Sequence, residues 1–388
     1  MRNQLGLDLP ERRIGLTAHD FVQLLGHDEV ILSHAAKVGG APAVASRFLH
    51  RMEAVAGEER WNAATKAGET YVRYAERLDQ PDKVTPVTQP EPKPPLIARP
   101  LRLSVTAIED WLRDPYSIYA KYILGLAPLD PVDMPLSAAD RGSAIHASIG
   151  DFTLEFGKAL PPDPAAALRR IGKAHFDPLM SRPEAQALWW PRFLRIASWF
   201  ANWEIERRIN VANIDAEVRG EIAIPLDHGR IFRLSARADR IEHRTDRTFA
   251  LLDYKTGNPP TGKQVRMGLS PQLTLEAAIL REGGFPGIAA GSSVSELTYV
   301  RLSGNNPPGE EKPIELRIER KDEPQHPDDA AIEARAKLEA LIRKFEDEAT
   351  GYTSLALSMW SNRYGAYDDL ARIKEWSANG GASGGGDA

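Results

Sequence analysis

The chain contains no cysteine, which excludes disulfides, thiolate metal sites, iron–sulfur clusters and cysteine nucleophiles. Any metal must therefore be held by oxygen or imidazole, which points to Mg²⁺ or Mn²⁺, or to a histidine-poor zinc site. An excess of positive charge is also missing. With 49 Lys and Arg against 54 Asp and Glu, the formal net charge is −5, so composition carries no global nucleic-acid signal. That weakly opposes autonomous DNA binding but leaves room for a local groove, or for a polynucleotide delivered by a partner. No apolar run approaches the roughly 20 residues of a membrane span, and the N-terminus lacks a signal-peptide pattern. A cytoplasmic setting without membrane contact is expected.

What is present is a 388-residue chain with 42% hydrophobic residues, long enough for two domains or one large decorated domain with a sizeable core. Residues 1–82 read as helical, with a capping position near Thr17, then Phe21, Leu24 and Leu25 at helical spacing and a break at Gly39-Gly40-Ala41-Pro42. Residues 83–100 carry six prolines and read as an extended linker. From 101 to 377 the pattern is richer. Ser104 caps a short helix that Asp114-Pro115 ends, Tyr116 to Leu124 forms another, and a helix over Ala138 to Phe156 carries His146. A Trp-rich helical stretch then precedes three strands, at Ala216–Ile224, Ile231–Glu242 and Thr248–Lys255. A helix at Pro271–Leu280, strands at Leu297–Leu302 and Ile314–Ile318, and a charged helix at Asp328–Glu348 complete the order. This order predicts an α/β core on a mixed sheet. Residues 378–388 are Gly/Ser-rich and are expected to be disordered.

Chemistry concentrates where the apolar run Phe249–Leu252 ends abruptly in Asp253-Tyr254-Lys255-Thr256-Gly257. Side chains at i and i+2 of a strand share a face, so Asp253 and Lys255 should stand together at its end. Such a pair suits holding a divalent cation and polarising a nucleophile beside it. An acid followed at i+2 by Lys also occurs at Glu91/Lys93, Glu310/Lys312 and Glu319/Lys321, where solvated charges are the simplest reading. Asp239 ends the preceding strand and could converge with Asp253 on one ion, the plain alternative being a surface salt bridge to Arg237 or Arg240. His146, one turn after Gly142, has the alternative of a structural histidine beside the core positions Ile145, Ile149 and Phe152. Gln272 has the alternative of a surface residue. Gly257–Lys263 mimics the spacing of a phosphate-binding loop, but Gln264 stands where Ser or Thr is needed, and Pro259 and Pro260 remove amide donors. It reads as a loop without a nucleotide.

Together these residues resemble the RecB-like branch of the PD-(D/E)XK nuclease superfamily. The carriers are Gly142 to His146, Ala236 to Ile241 with Asp239-Arg240-Ile241 intact, Asp253 to Gly257, and Gln272. Leu103 to Pro115 and Asp368 to Trp376 further resemble the end of AddB-type subunits of bacterial AddAB helicase–nucleases. Relatives of that type hold an iron–sulfur cluster through a cysteine before the matching proline. Here Asp114 stands in its place, so the resemblance is to cluster-lacking versions. The acid usually found one turn after the histidine is replaced by Gly150. The resemblance implies a restriction-endonuclease-like fold, a mixed central sheet flanked by helices, with an N-terminal helical extension from a helicase-like region. It implies a Mg²⁺-dependent (or Mn²⁺-dependent) deoxyribonuclease acting on single-stranded DNA ends. It further implies a helicase partner subunit, AddA-like, in double-strand break repair by recombination. Asp239 and Asp253, with His146 and the Tyr254 backbone carbonyl, would hold the metal. Lys255 would orient water or steady the pentacoordinate phosphate, and Gln272 would position water or phosphate. The competing class is a catalytically silent nuclease-like scaffold that binds DNA or a partner subunit.

Overall fold

Two periodicities set the architecture, two residues in the strands and 3.6 in the helices that cover them. The computed structural model describes residues 10–80, 82–83, 85–129, 134–319, 321–356 and 365–378. The expected tail beyond Ala378 lies outside them. The chain divides into two compact units, Met1–Pro86 and Val87–Ala388.

In the first unit, helix α1 (Pro10–Leu24) begins ahead of the cap expected near Thr17, proline being well tolerated in a first helical turn. Gly39 and Gly40, at φ 58° and 85°, turn the chain between the short strands β1 (Lys37–Val38) and β2 (Ala41–Pro42). Helices α2 (Arg47–Ala56) and α3 (Glu58–Leu78) follow, and neither contains a buried residue.

In the second unit the proline-rich stretch is extended but bound. The N–H groups of Tyr352 and Ser354 donate to the carbonyls of Pro92 and Pro90 at 2.9 and 3.1 Å. Arg99, buried, donates to the carbonyls of Phe345, Asp347 and Glu348. From Pro90 onward the segment expected as a linker is therefore part of this unit, because backbone pairing and one guanidinium hold it.

Strand β3 (Arg102–Ser104) leads into α4 (Val105–Arg113), capped by Ser104 as expected, and α5 (Pro115–Ile118) starts after Asp114. Then come α6 (Ala138–Glu155), α7 (Pro164–Phe176) and α8 (Trp190–Arg207). Strands β4 (Val211–Pro225), β5 (Ile231–Arg244) and β6 (Phe249–Lys255) follow. The rest is α9 (Gly262–Arg266), α10 (Gln272–Arg281), β7 (Val294–Leu302), β8 (Gly309–Pro313), α11 (Pro327–Glu346) and α12 (Ile373–Ala378). The sequence pattern puts the last strand at Ile314–Ile318. Instead Glu310, Glu311 and Lys312 pair with β7, and Glu311 of this edge strand is ion-paired with Arg207 on α8. The apparent phosphate loop is a loop leading into α9, where Thr261 and Gln264 form a capping box.

The sheet is six-stranded and mixed, in the order β3-β5-β6-β7-β8, with β4 on the other edge of β5. Strand β6 shows how it is sandwiched. Leu251 enters a core with α4, α10 and α11, whereas Ala250, Leu252 and Tyr254 enter a second core with α6, α7 and α8. The result is three layers, helix–sheet–helix.

Candidate active site

Strand β5 is longer than either strand that shares its inner edge, and this creates the site. Arg233–Ser235 pair with β3, and Arg240–His243 pair with β6, so Ala236 to Asp239 face a split between the two. The antiparallel register pairs Arg240 with Leu252. One step further along that register sets Asp239 opposite Asp253, where the strands have parted. Residues directly opposed in this way carry side chains on the same face, close together. The sequence order of the two acids is thus converted into proximity by register.

Each expected residue can be located around that opening. Asp239 accepts a hydrogen bond from the Tyr254 N–H at 2.9 Å, filling the place of a missing ladder bond, and lies 3.5 Å from His146 Nδ1. His146 reaches it from α6. Gly142 lets the first turns of α6 approach β6 closely, since an added Cβ would stand 3.2 Å from Thr256 Oγ1. Asp253, 3% exposed, is contacted by Lys255 Nζ at 3.0 Å and by Gln272 Nε2 at 2.6 Å, both on Oδ1. Lys255 also donates to Gln272 Oε1 at 3.1 Å and stands 5.9 Å from the Tyr299 ring centroid. The side chain of Tyr254 turns away into the other core, where its hydroxyl accepts from Arg240. The N–H and C=O of one strand residue point to the same edge, so the Tyr254 carbonyl faces the split with its N–H. Asp239 is in neither of the two salt bridges that were its plain alternative, Arg237 being paired with Glu217. Arg240 is fully buried on α8's side with Glu204 and Glu242, and Gln272 bonds the acid itself.

Burial dominates the electrostatics. It pushes the Asp253 carboxyl up to about 6, with neighbouring Asp239 adding to the rise and Lys255 opposing it. Asp239 is raised as well, chiefly by burial, against the pull of His146. Burial would depress the Lys255 amine, but the Asp253 carboxylate overrides it and holds the amine above its ordinary value. Two acids that the sequence reading did not single out belong to this environment. Glu276, one turn along α10 from Gln272 and fully buried, accepts from Gln272 Nε2 at 3.2 Å and is held well above its ordinary range by burial and both aspartates. Glu109 of α4, raised by burial and opposed by Arg113, accepts from the Gln272 backbone N–H. Glu276 carried a legible signal, being i+4 from Gln272 on one helix face. Glu109 did not, because its partner lies 163 positions away.

The donor set suits a divalent cation. Asp253 Oδ2 is buried and is ion-paired with Lys255 Nζ at 2.7 Å. Two desolvated carboxylates and an imidazole on one opening are oxygen and nitrogen donors of the kind a hard metal ion takes. Among the described residues no group of three or more His, Asp or Glu side chains is placed so that it could hold a metal ion as the site stands. Lys255 and Gln272 instead occupy Asp253 Oδ1, and a bound cation would compete with them for that carboxylate.

A mixed sheet under two helical layers, with an acid on one strand and an acid-x-Lys on the next at its opening, defines a nuclease core. Residues 102–356 match the PD-(D/E)XK nuclease superfamily, and the chain belongs to that superfamily. Its members generally use divalent metal ions. Similar curated proteins come from Rickettsia and are described as uncharacterized. One from Rickettsia bellii is 30% identical over 229 residues, covering 56% of this chain and 27% of that protein. One from Rickettsia conorii is 29% identical over 289 residues (72% and 33%), and one from Rickettsia felis is 30% identical over 285 residues (72% and 33%). The chain therefore spans a third or less of the length of these relatives. The solved structure of SSO0001 aligns over 51% of this chain and 85% of its own, at 13% identity and a TM-score of 0.22. No helix among the described residues is long and apolar enough to cross a membrane.

Proposed function

We propose that this chain is a Mg²⁺- or Mn²⁺-dependent deoxyribonuclease that hydrolyses phosphodiester bonds of single-stranded DNA. The observation that carries this reading is the opposition of Asp239 and Asp253 across the split, with Lys255 ion-paired beside them. Asp239 and Asp253, His146 and the Tyr254 carbonyl would hold the cation, which when bound neutralises phosphate charge and lowers the pKa of water. Lys255 stays protonated against Asp253 and presents its ammonium to the scissile phosphate, steadying negative charge that builds there. Gln272 fixes Lys255 through Oε1 and Asp253 through Nε2, so the pair keeps its orientation. The metal-side acids lie in low-dielectric surroundings, where such interactions strengthen.

Substrate class is supported by a groove of about 1010 Å³ beside the split, lined by Arg219, by Arg102 paired with Glu221, and by Arg237 paired with Glu217, with Ser104 and Ser235. Arg219 is exposed at the rim of this groove, where its guanidinium can meet a phosphate. A local basic groove in a chain of net charge −5 fits DNA handed over by a partner motor. On this reading the chain is the nuclease part of an AddB-type subunit, without an iron–sulfur cluster, acting with an AddA-like helicase in double-strand break repair by recombination. Cytoplasmic location goes with that role.

The test is cleavage of end-labelled single- and double-stranded oligonucleotides by the purified chain, with Mg²⁺, Mn²⁺ or EDTA. Single strands should be cut only with metal, and Asp253→Asn or Lys255→Ala should each lower the rate by at least about 100-fold. Cleavage that persists in either variant, or in EDTA, contradicts the assignment. A folded chain that binds Mn²⁺ and DNA but cuts neither strand favours the silent scaffold.

A further inference from the structure

Strand β4 breaks its own pairing at one place, next to the site. The β4–β5 register runs without shift from Asn213↔His243 to Pro225↔Ile231, yet Glu217, which that register sets opposite Asp239, makes no pair. Its φ is 55°, the left-handed region that glycine favours and a glutamate rarely adopts. Such strain persists when the surrounding structure over-determines it, and it clusters at functional sites. Here it turns the Glu217 carboxylate toward α6. A Cβ added at Gly150 would stand 2.8 Å from Glu217 Oε1 and 3.1 Å from its Cγ. Gly150 lies one turn beyond His146 on the same helix face. The space beside the helix that a side chain at position 150 would fill is thus occupied by a carboxylate from the sheet. Asp239 is consequently flanked on β5 by Asp253 on one side and Glu217 on the other.

We propose that Glu217, from β4, supplies the carboxylate that α6 lacks at Gly150, and so completes the anionic surround of the divalent-cation site at Asp239 and Asp253. The inference rests on the metal-site reading given above. Gly150 and Glu217 form a complementary pair: the glycine makes room and the strained glutamate fills it. Arg237 Nε, 2.7 Å from Glu217 Oε2, braces the glutamate from the groove side and is itself 61% exposed. This bracing ties the cation site to the basic groove through a single residue. Glu217 acts as a positioning and charge-supplying residue; the protein's reacting groups remain Lys255 and the aspartates.

Calorimetric titration of the full chain with Mn²⁺, without DNA, separates the possibilities. Glu217→Gln should weaken Mn²⁺ binding about 10- to 100-fold, the usual effect of losing a group just outside the ligands. Glu217→Gly should match Glu217→Gln, and combining it with Gly150→Glu should recover most of the affinity by moving the acid onto the helix. A Glu217→Gln chain that binds Mn²⁺ like the wild type, while Asp239→Asn loses binding, overturns the proposal and leaves the site reading intact. A folded double variant no tighter than Glu217→Gly counts against it in the same way. Unchanged binding in Asp239→Asn removes the site reading itself, and the proposal with it.

Discussion

Asp253 is charged at a position where water is nearly absent, and this has a consequence for stability as well as for chemistry. Its carboxyl rises from 3.8 to about 6 on folding. Well below pH 3.8 it is protonated in both the folded and unfolded chain, so the proton contributes its full stabilisation. As pH climbs through 6 that stabilisation is lost, and the folded state must then hold a buried charge. At about 1.4 kcal/mol per unit, the difference amounts to roughly 3 kcal/mol. Asn mimics the protonated acid. The metal-free Asp253→Asn chain should therefore match the wild type near pH 3 and exceed its unfolding free energy by about 3 kcal/mol at pH 8. Denaturant titrations at the two pH values check this, and equal stabilities at pH 8 would contradict it. Such sacrifice of stability at a site is the usual mark of function. Asp253 and Lys255 were legible in the sequence because charges rarely end so apolar a run. Asp239, His146 and Gln272 were legible through the resemblance their order carries. Glu217 was not, since within Ala216-Glu217-Val218-Arg219 it looks like any solvent-facing strand acid. Its distinction is a backbone angle and a neighbour on another element, which one-dimensional spacing does not encode.

Between elements, the side of the sheet opposite Asp253 is held by ions as well as by apolar packing. Arg240, Glu204 and Glu242 are each 0% exposed, and Arg207 extends the network to Glu296 and Glu311. This ties α8 to β5, β7 and β8 behind the split, and it fixes the strand that delivers Asp239. Because Arg240 immediately follows Asp239, one strand residue serves the active face and the next anchors the reverse face, as alternation requires. Replacing Arg240 by Met would leave Glu204 and Glu242 short of a buried partner. A loss of about 3–5 kcal/mol in unfolding free energy is expected, read by urea denaturation. A loss below about 1 kcal/mol, the range of exposed pairs, would mean the network is not a clasp. Most helices and the apolar strands could be read from periodicity, with shifts of a few residues at their ends. Strand β8 could not, because its pairing residues Glu310, Glu311 and Lys312 are polar and the apolar Ile314 just beyond them invited a later start. Its stability comes from β7 backbone pairing and from Glu311 reaching Trp203 and Arg207.

Acids gather at the split, whereas the adjoining groove carries three arginines, Arg102 and Arg237 being paired with Glu221 and Glu217 and Arg219 standing exposed. Arg102, Arg219 and Arg237 line the adjoining groove, although the chain as a whole is acidic. On single-stranded DNA, each cation that neutralises a phosphate adds about 0.7 to the log–log salt dependence of binding. Arg219→Ala should therefore weaken single-stranded DNA binding and reduce that slope by about 0.7, measured by fluorescence anisotropy at several salt concentrations. An unchanged slope would move the DNA path away from this groove. The split itself admits a direct test. Crystals grown with Mn²⁺ and measured at an anomalous wavelength should carry a peak in contact with both Asp239 and Asp253, on the side reached by His146. Absence of a peak there at saturating Mn²⁺, or a peak held by other residues, would contradict the reading of this opening as a nuclease metal site.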